Sequence, residues 1–530
     1  MYKSIMLVFF MVFSLYSAER PNIVIILVDD MGFSDIGCYG GEIETPNIDM
    51  LAKNGLRFKQ FYNSGRCCPT RASLMTGLHP HQAGIGWMTE GPTKKSQTTG
   101  PYQGYLNKNC VTIAEALKEA DYQTLMVGKW HLGYHGKDRW PTRRGFEKFY
   151  GIHAGAAHYF KPSGGRGLTL QEDAVDPVST REGERYYMTD AFTDYASKFV
   201  SEVKKDKPFF LYLAYNAPHW PLHAKEKDIK KYLGKYTRNW ENVKKERLKR
   251  QQQMGLISPK FTPAPHEGPD WESLSSQEKK LLDLKMAAYA ACVDSIDQNI
   301  GSFISTLKKN GQYENTIIFF LTDNGACAEG GIKGKGKWEQ FFDPEANTYG
   351  TLRYGRVWAN VSSTPFRLYK HYTHEGGTAT PLVVHWPAGI PKENHNKFIE
   401  SYGYLPDFMP TCLELAKAKY PGTYQGNSIK AMEGKSLMPY IRMEKKYRDE
   451  MIFFEHEGNR AVRQGDWKLV KQIKKPWELF NMKEDRTEMN NLAAEMPEKF
   501  SMMKKSWTEW ALKNGIRITD DMNVIRGKAK

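Results

Sequence analysis

Hydrophobic residues recur along this chain in two rhythms. Ile23 to Val28 is an unbroken aliphatic run ending in Asp29 and Asp30, and Ile317 to Leu321 is a second, followed by Thr322, Asp323, Asn324 and Gly325. Uninterrupted apolar runs of this length read as strands covered on both faces, the kind found in parallel sheets. Pro208 to Ala214, Thr124 to Val127 and Thr380 to His385 supply three more. Between them the period lengthens. Val293, Ile296, Ile300, Ile304 and Leu307 hold helical spacing just ahead of the run that ends at Asp323, and residues 111–119 predict a helix feeding the strand at 124–127. Strands alternating with helices predict an α/β fold, a large mainly parallel sheet sandwiched by helices.

The last hundred residues differ. Residues 461–463 and 467–470 flank Gln464-Gly465-Asp466, a hairpin by its turn chemistry, with a further strand at 477–481 and a closing helix at 497–512. This predicts a small C-terminal antiparallel sheet plus helix over residues 431–530, after a large domain over 19–430. Residues 1–18 read as a signal peptide: Lys3, an apolar stretch from Ile5 to Phe13, then a small-residue exit from Ser14 to Ala18. That stretch is shorter than the roughly 20 residues a membrane span requires. No cysteine follows it to carry a lipid, and no later run is long and apolar enough to span. The expectation is an exported protein, periplasmic or extracellular, without a stable membrane anchor.

Composition narrows the picture only slightly. Hydrophobic residues at 40% and 45 Gly in 530 residues exclude disorder, collagen-like repeats and coiled coils. The formal charge of +15, or +14 once Lys3 is removed with the signal, points to an anionic partner. Residues 225–250 carry 11 Lys+Arg against 4 Asp+Glu, a local +7. There Ile229, Tyr232, Leu233, Tyr236, Trp240, Val243 and Leu248 predict helices with one buried face, their charges either solvated or forming a patch that steers polyanions. No nucleic-acid-binding motif accompanies the charge, so nucleic acid is not the expected partner. Seven cysteines at scattered spacing make no disulfide framework and no zinc site, and Cys38 reads as a buried small residue.

In open α/β sheets ligands bind beyond the carboxyl ends of the strands. Two buried strands here end in Asp29-Asp30 and Asp323-Asn324, either helix caps and turns or hard oxygen ligands suited to calcium or magnesium. The stretch Cys67-Cys68-Pro69-Thr70-Arg71-Ala72-Ser73-Leu74-Met75-Thr76-Gly77 then decides between function classes. It resembles the signature of the type I sulfatase family, in which Cys-x-Pro-x-Arg with a Leu-x-Thr-Gly ending directs conversion of the first cysteine to formylglycine. Further motifs of that family are matched by Val28 to Gly32, Thr45 to Asp49, Gly128-Lys129-Trp130-His131-Leu132-Gly133, Ala217-Pro218-His219 with Pro221-Leu222, and Thr322 to Gly325. Lys370 stands five residues before Glu375-Gly376-Gly377, the family's spacing for its last catalytic lysine. The run from Pro365 to Lys370 is similar to the bacterial arylsulfatases of the alkaline phosphatase superfamily.

The resemblance implies a sulfuric ester hydrolase acting on an aryl or carbohydrate sulfate. Cys67 would become formylglycine through a maturation enzyme and, once hydrated, serve as a geminal diol whose one hydroxyl attacks sulfur. A cation, calcium before magnesium, would be held by Asp29, Asp30, Asp323, Asn324 and residue 67, with Asp323 as base. Arg71 would steady the hydrate, Lys129 and Lys370 would neutralise sulfate oxygens, His219 would protonate the departing alcohol, and His131 would help expel sulfate. Serine at position 67 could not complete that last step. His456, within Glu455-His456-Glu457, is a candidate substrate contact or else part of a charged strand edge. His223, His371 and His374 are open between pocket and surface. The loops at 86–106 and 152–185 are expected to set specificity, with Tyr159, Phe160 and the stretch from Tyr102 to Tyr105 available for stacking. Asn360-Val361-Ser362 has the glycosylation pattern. The alternatives are a phosphonate monoester or phosphodiester hydrolase of the same superfamily, and a non-catalytic protein that binds sulfated polysaccharide.

Overall fold

A computed structural model describes residues 20–90, 99–346 and 350–525. The signal sequence and part of the 86–106 loop lie outside the described residues. The strands run, in chain order, β1 (Asn22–Val28), β2 (Leu56–Tyr62), β3 (Gln123–Lys129), β4 (Lys148–Ile152), β5 (Leu168–Leu170), β6 (Asp173–Val175), β7 (Phe209–Ala214), β8 (Thr316–Thr322), β9 (Ala379–Thr380), β10 (Leu382–His385) and β11 (Lys397–Tyr404). They form one mixed sheet in the order β11-β2-β10-β8-β1-β7-β3-β4-β5-β6, with β9 added beside β2. From β8 to β4 five consecutive strands are parallel.

Side-chain alternation along β1 explains the two-sided covering. Val24, Ile26 and Val28 enter one core with the helix Ser276–Lys309, while Ile23, Ile25 and Leu27 enter the other with the helices Cys67–Thr76 and Phe408–Ala416. All six are fully buried. The predicted helix around 293–307 is the second half of a 34-residue helix whose start is set by a capping box between Ser275 and Glu278. The helix expected at 111–119 spans Ile113–Lys118 and opens on the same device, with Thr112 and Glu115. Strand β2 escaped the hydrophobic pattern because Arg57, Lys59 and Gln60 interrupt it; Arg57 is nonetheless buried, donating to Asn396 and to the Cys38 carbonyl.

Beyond the large sheet, β12 (Thr423–Tyr424) and β13 (Asn427–Ser428) make a short ribbon. Then β14 (Ile452–His456), β15 (Asn459–Gln464), β16 (Trp467–Lys471) and β17 (Trp477–Asn481) form an antiparallel sheet in sequence order. Its Val462, Leu469 and Leu479 pack against Met503, Trp507 and Ala511 of the helix Pro497–Lys513. A buried ionic knot joins this sheet to the large one. Glu375 receives Lys468 Nζ at 2.8 Å, Arg486 Nε at 3.0 Å and the Tyr62 hydroxyl at 3.0 Å, and Lys468 also meets Glu488 at 2.8 Å. Burial opposes ionisation of Glu375, yet Lys468 and Arg486 bring it down to about 2.

The basic segment folds as the helices Glu226–Tyr232 and Trp240–Gln253, burying Ile229, Tyr232, Tyr236, Trp240 and Val243. Much of its charge is taken up internally: Arg247 pairs with Asp35 and Glu42 at 2.6 and 2.7 Å, and Lys231 with Asp294 and Glu44 at 2.6 and 2.8 Å. Asn360, in the glycosylation pattern, is buried and accepts a hydrogen bond from Lys244 Nζ, so no glycan fits there. All seven cysteines are free, and Cys38 is partly exposed rather than buried. No helix among the described residues is long and apolar enough to cross a membrane.

Replacing Lys468 with Met leaves Glu375 and Glu488 facing each other without that cation. Breaking a buried pair in this way costs about 3–5 kcal/mol, so Lys468→Met is expected to lower the thermal and urea midpoints markedly. An unchanged midpoint would show that the knot does not hold the two sheets together.

Buried histidines give a second expectation. Burial pushes His153, stacked on Trp140, down to about 3, and His385, bonded to the Tyr313 hydroxyl at 2.8 Å, down to about 4. The unfolded chain protonates these rings near pH 6.5 while the folded chain keeps them neutral. Each therefore removes stability as pH falls from about 6.5 toward 4, at about 1.4 kcal/mol per pH unit. The thermal midpoint should drop over that window before the carboxylates titrate, and His153→Phe, which keeps the stack, should flatten the slope.

Candidate active site

Because β1 and β8 are parallel neighbours with Val28 opposite Thr322, their acidic endings emerge side by side at the carboxyl edge of the sheet. Asp30 takes a left-handed backbone, φ 69°, and its N–H donates to Asp323 Oδ1 at 3.2 Å. Asn324 Nδ2 donates to Asp30 Oδ1 at 2.7 Å. Strand β3 ends at Lys129 on the same edge, two strands from β1, and Lys129 Nζ reaches Asp29 Oδ2 at 2.5 Å.

The helix Cys67–Thr76 begins at Cys67, so its positive end faces this edge. Arg71, four residues on and therefore on the same helix face, donates Nη2 and Nε to Asp323 Oδ2 at 2.7 and 3.2 Å and Nη1 to the Lys129 carbonyl at 2.9 Å. Lys370 lies in the irregular stretch after the helix Gly355–Ser362. Its backbone N–H is tied to the Ala326 carbonyl at 3.1 Å, and Nζ stands 2.8 Å from both Asp30 carboxylate oxygens. Close packing permits this: a Cβ on Gly325 would collide with the carbonyl of Gly376. His219 sits in the loop after β7, its Nδ1 donating to the Trp220 carbonyl at 2.6 Å while Nε2 faces Asp30 Oδ2 at 3.4 Å. His131 stands beside Cys67, close enough for the two to share a hydrogen bond.

Every sequence-derived catalytic and metal position thus converges on one pocket, all at 6% exposure or less. Burial and the neighbouring charges together set the titration. Burial and then the neighbouring Asp323 push the Asp29 carboxyl well up, with Lys129 and Arg71 only partly opposing. Burial also raises Asp30, but Lys370 and His219 outweigh it and leave that carboxyl low. A hydrogen bond from Cys68 holds the Cys67 thiol well down against burial, Lys129 and His131 adding to the shift. Burial takes His131 to about 4 and His219 to about 3.

The ligand question turns on unsatisfied oxygens. Asp29 Oδ1 and Asn324 Oδ1 are buried without a hydrogen-bond partner. Two orphaned hard oxygens beside Asp30 and Asp323 fit a hard divalent cation.

Other expectations are redirected. Tyr159 is fully buried and donates its hydroxyl to the Asn216 carbonyl at 3.0 Å and the His219 carbonyl at 2.5 Å, so it props the His219 loop instead of stacking on a ligand. Tyr102 is packed on His81 and under Arg517. His456 is fully buried, its Nε2 3.8 Å from Glu457 Oε1. The next two residues, Glu457 and Gly458, turn left-handed at φ 52° and 79°, so the segment reaches the pocket rim through Glu457 with His456 behind it. His223 is buried against His158 and His374 against Glu478, while His371 is at the rim. Arg66 and Glu329, which join His371 there, carry no local sequence signal. A cleft of about 890 Å³ opens among Arg20, Asn22, Lys204 and Phe209 at the amino ends of β1 and β7, the edge opposite this chemistry.

Comparison with known proteins agrees with this geometry. The family model described as Sulfatase matches residues 21–418, and that described as N-sulphoglucosamine sulphohydrolase, C-terminal, matches 366–511. The chain is 33% identical over 542 residues to an uncharacterized sulfatase of Schizosaccharomyces pombe, covering 95% of this chain and 96% of that one. It is 35% identical over 415 residues to an arylsulfatase of Klebsiella aerogenes, covering 75% and 87%. The crystal structure of Ps i-CgsB in complex with k-i-k-neocarrahexaose superposes with a TM-score of 0.70 at 26% identity, covering 97% of this chain and 98% of that one. With its family model spanning most of its length and its acidic strand ends, basic side chains and Cys67 gathered at one sheet edge, the chain belongs to the sulfatase family and is a sulfuric ester hydrolase.

Proposed function

We propose that the chain hydrolyses a sulfate monoester of a small molecule or saccharide, using formylglycine made from Cys67 and a divalent cation held by Asp29, Asp30, Asp323 and Asn324. The observation that carries this reading is the pair of buried oxygens without a hydrogen-bond partner, Asp29 Oδ1 and Asn324 Oδ1, beside the helix start at Cys67. Calcium suits a mixed carboxylate and amide set better than magnesium, which demands stricter octahedral geometry and keeps its waters. When bound, the cation supplies Lewis acidity and lowers the pKa of a nearby hydroxyl. Formylglycine at position 67, once hydrated, would supply a nucleophilic hydroxyl and a second hydroxyl for the release of sulfate.

The chain's own groups do the rest. Lys129 and Lys370, each already anchored on a carboxylate at 2.5 and 2.8 Å, present charge to sulfate oxygens without reorganising. Arg71 fixes Asp323 and shields its charge from Asp29. His219 is oriented by the Trp220 carbonyl so that Nε2 points inward, and an anionic ester beside it draws a proton onto that nitrogen for the leaving alcohol. His131, against residue 67, is neutral and able to accept a proton. The same donors would hold other tetrahedral anions, so a markedly higher kcat/KM on phosphodiesters or phosphonate monoesters than on sulfate esters would overturn the choice of substrate. The leader-like pattern of residues 1–18 supports export to the periplasm or outside the cell as part of this proposal. The structure of Ps i-CgsB with k-i-k-neocarrahexaose, a carbohydrate, supports a saccharide substrate here.

Mass spectrometry of the tryptic peptide across Cys67, from protein matured with a formylglycine-generating enzyme, should show the aldehyde in place of the thiol. Cys67→Ser should lower turnover of 4-nitrophenyl sulfate by at least about 10³-fold. A fully thiol peptide in active enzyme would sink the reading.

Chelation should remove activity and lower the thermal midpoint together, and calcium should restore both. A cation at 100 times its Kd contributes about 2.7 kcal/mol, while Asp29→Asn should abolish the calcium-dependent shift. A midpoint indifferent to chelator and calcium would argue against the cation site.

A further inference from the structure

Above the buried pocket sits a ring of partly exposed polar side chains that the proposed chemistry does not use. Glu329, six residues past Asp323, and Glu457, from the β14–β15 turn, face each other across His371. Each glutamate has one oxygen on an indole and the other on His371. Trp220 Nε1 donates to Glu329 Oε2 at 2.7 Å and Trp87 Nε1 to Glu457 Oε1 at 3.0 Å. His371 Nε2 lies 3.3 Å from Glu329 Oε1, and its Nδ1 2.7 Å from Glu457 Oε2. Arg66, the residue before Cys67, packs on the His371 ring and stands 3.7 Å from both carboxylates. Asn459 holds the His371 carbonyl at 3.0 Å, so the small sheet fixes the ring from behind.

Exposure separates this collar from the pocket beneath it. The side chains of Glu329, Glu457 and His371 are 23%, 14% and 28% exposed, against 1% for Lys370 and Asp30. Carboxylates at the mouth of a site for an anionic ester are an electrostatic cost unless they serve a purpose. Arg66 and Arg353, the latter 3.8 Å from Glu329 Oε2 and stacked over Trp220, balance them charge for charge. The collar therefore adds no net attraction; what it adds is direction, two oriented sets of acceptor oxygens at the pocket mouth. An aryl group would cover these carboxylates while offering no donor, stripping their water without return. A sugar ring would offer hydroxyl donors, and carboxylate acceptors make the stronger class of hydrogen bond. A metal is the other occupant to weigh, since His371, His456 and Glu457 have ligand atoms within 4.8 Å of one another. The Arg66 guanidinium already lies against that group and opposes a further cation.

We propose that Glu329 and Glu457 form a sugar-reading subsite, accepting hydrogen bonds from hydroxyl groups next to the sulfate ester of a saccharide, and so select carbohydrate over aryl sulfates. This rests on the sulfatase reading of the pocket below.

The test compares kcat/KM for 4-nitrophenyl sulfate with kcat/KM for a panel of monosaccharide and oligosaccharide O-sulfates, in the matured enzyme and in Glu329→Gln and Glu457→Gln. The ratio within one preparation cancels any difference in folded or matured fraction. The wild type should prefer at least one sugar sulfate, and each variant should lower the sugar-to-aryl ratio at least about tenfold, mainly through KM. A deoxy analogue of the best sugar, lacking the hydroxyl beside the ester, should already show the loss in wild type and little further loss in the variant. Equal loss on both substrate classes, or a wild type that prefers the aryl ester to every sugar tried, overturns the collar alone. An enzyme silent on every sulfate ester would overturn the reading of the pocket and the collar with it.

Discussion

Three carboxylates withdrawn from water at one sheet edge are the constraint on which the rest of this structure depends. Asp29, Asp30 and Asp323 are each 1% exposed or less, and buried charges persist only when paired and hydrogen-bonded. Each has its own cation from a separate element. Lys129 ends a strand two places along the sheet, Arg71 rides on the helix that starts at Cys67, and Lys370 comes from a loop more than three hundred residues after β1. The pairs therefore specify which ends of which elements meet. They do not exhaust the buried oxygens, and the leftover pair, the Asp29 carboxylate Oδ1 and the Asn324 amide Oδ1, is where the proposed cation belongs.

The loop bearing Lys370 is held between two such charge systems. On one side its ammonium meets Asp30; five residues later Glu375 enters the buried knot of Lys468, Arg486 and Tyr62. Neither system is near solvent, so a shift of the loop would strand charge on one side or the other. This ties the small sheet to the pocket energetically, beyond the apolar packing of its own core under Trp507. It also explains how a peripheral hairpin delivers Glu457 to the rim in a defined position: Asn459 bonds the His371 carbonyl, and His371 directly follows Lys370.

The parts of this arrangement that were legible in the sequence share a physical reason. Strands β1 and β8 are buried on both faces, so their apolar runs are unbroken and their ends at Asp29 and Asp323 stand out. The Cys67 to Gly77 stretch is contiguous and chemically specific. The features that escaped depend on contacts between distant residues. Strand β2 carries Arg57, Lys59 and Gln60, and is recognisable as a strand only once β10 and β11 flank it. Tyr159 looked like a stacking platform because its loop is surface-like in composition, yet its hydroxyl reaches back to the Asn216 and His219 carbonyls. Arg66 and His371 are 305 positions apart and meet only in the fold. Nothing in the local pattern around Glu329 distinguishes it from a solvated acid.

Net charge illustrates the same separation between composition and site. The chain carries +15, and half of the +14 that remains without the signal lies in residues 225–250. There Arg247 and Lys231 are consumed in pairs with Asp35, Glu42, Asp294 and Glu44, and Lys244 is buried against the Ala264 carbonyl and Asn360. The Arg247 and Lys231 pairs are locally neutral, so beyond about 8–10 Å in physiological salt they exert little pull on a substrate. Attraction to sulfate must then come from groups within a few ångströms of it, where burial strengthens every interaction. In the proposed reading Lys129 and Lys370 would meet that condition, each with its charge anchored before a ligand arrives. Pre-anchoring has a consequence for selectivity: because these cations are already half-neutralised by carboxylates, the pocket should hold an anion by geometry more than by bulk charge. Discrimination among anions would then fall to the oriented donors, leaving the proposed collar above them to distinguish the groups that carry the ester.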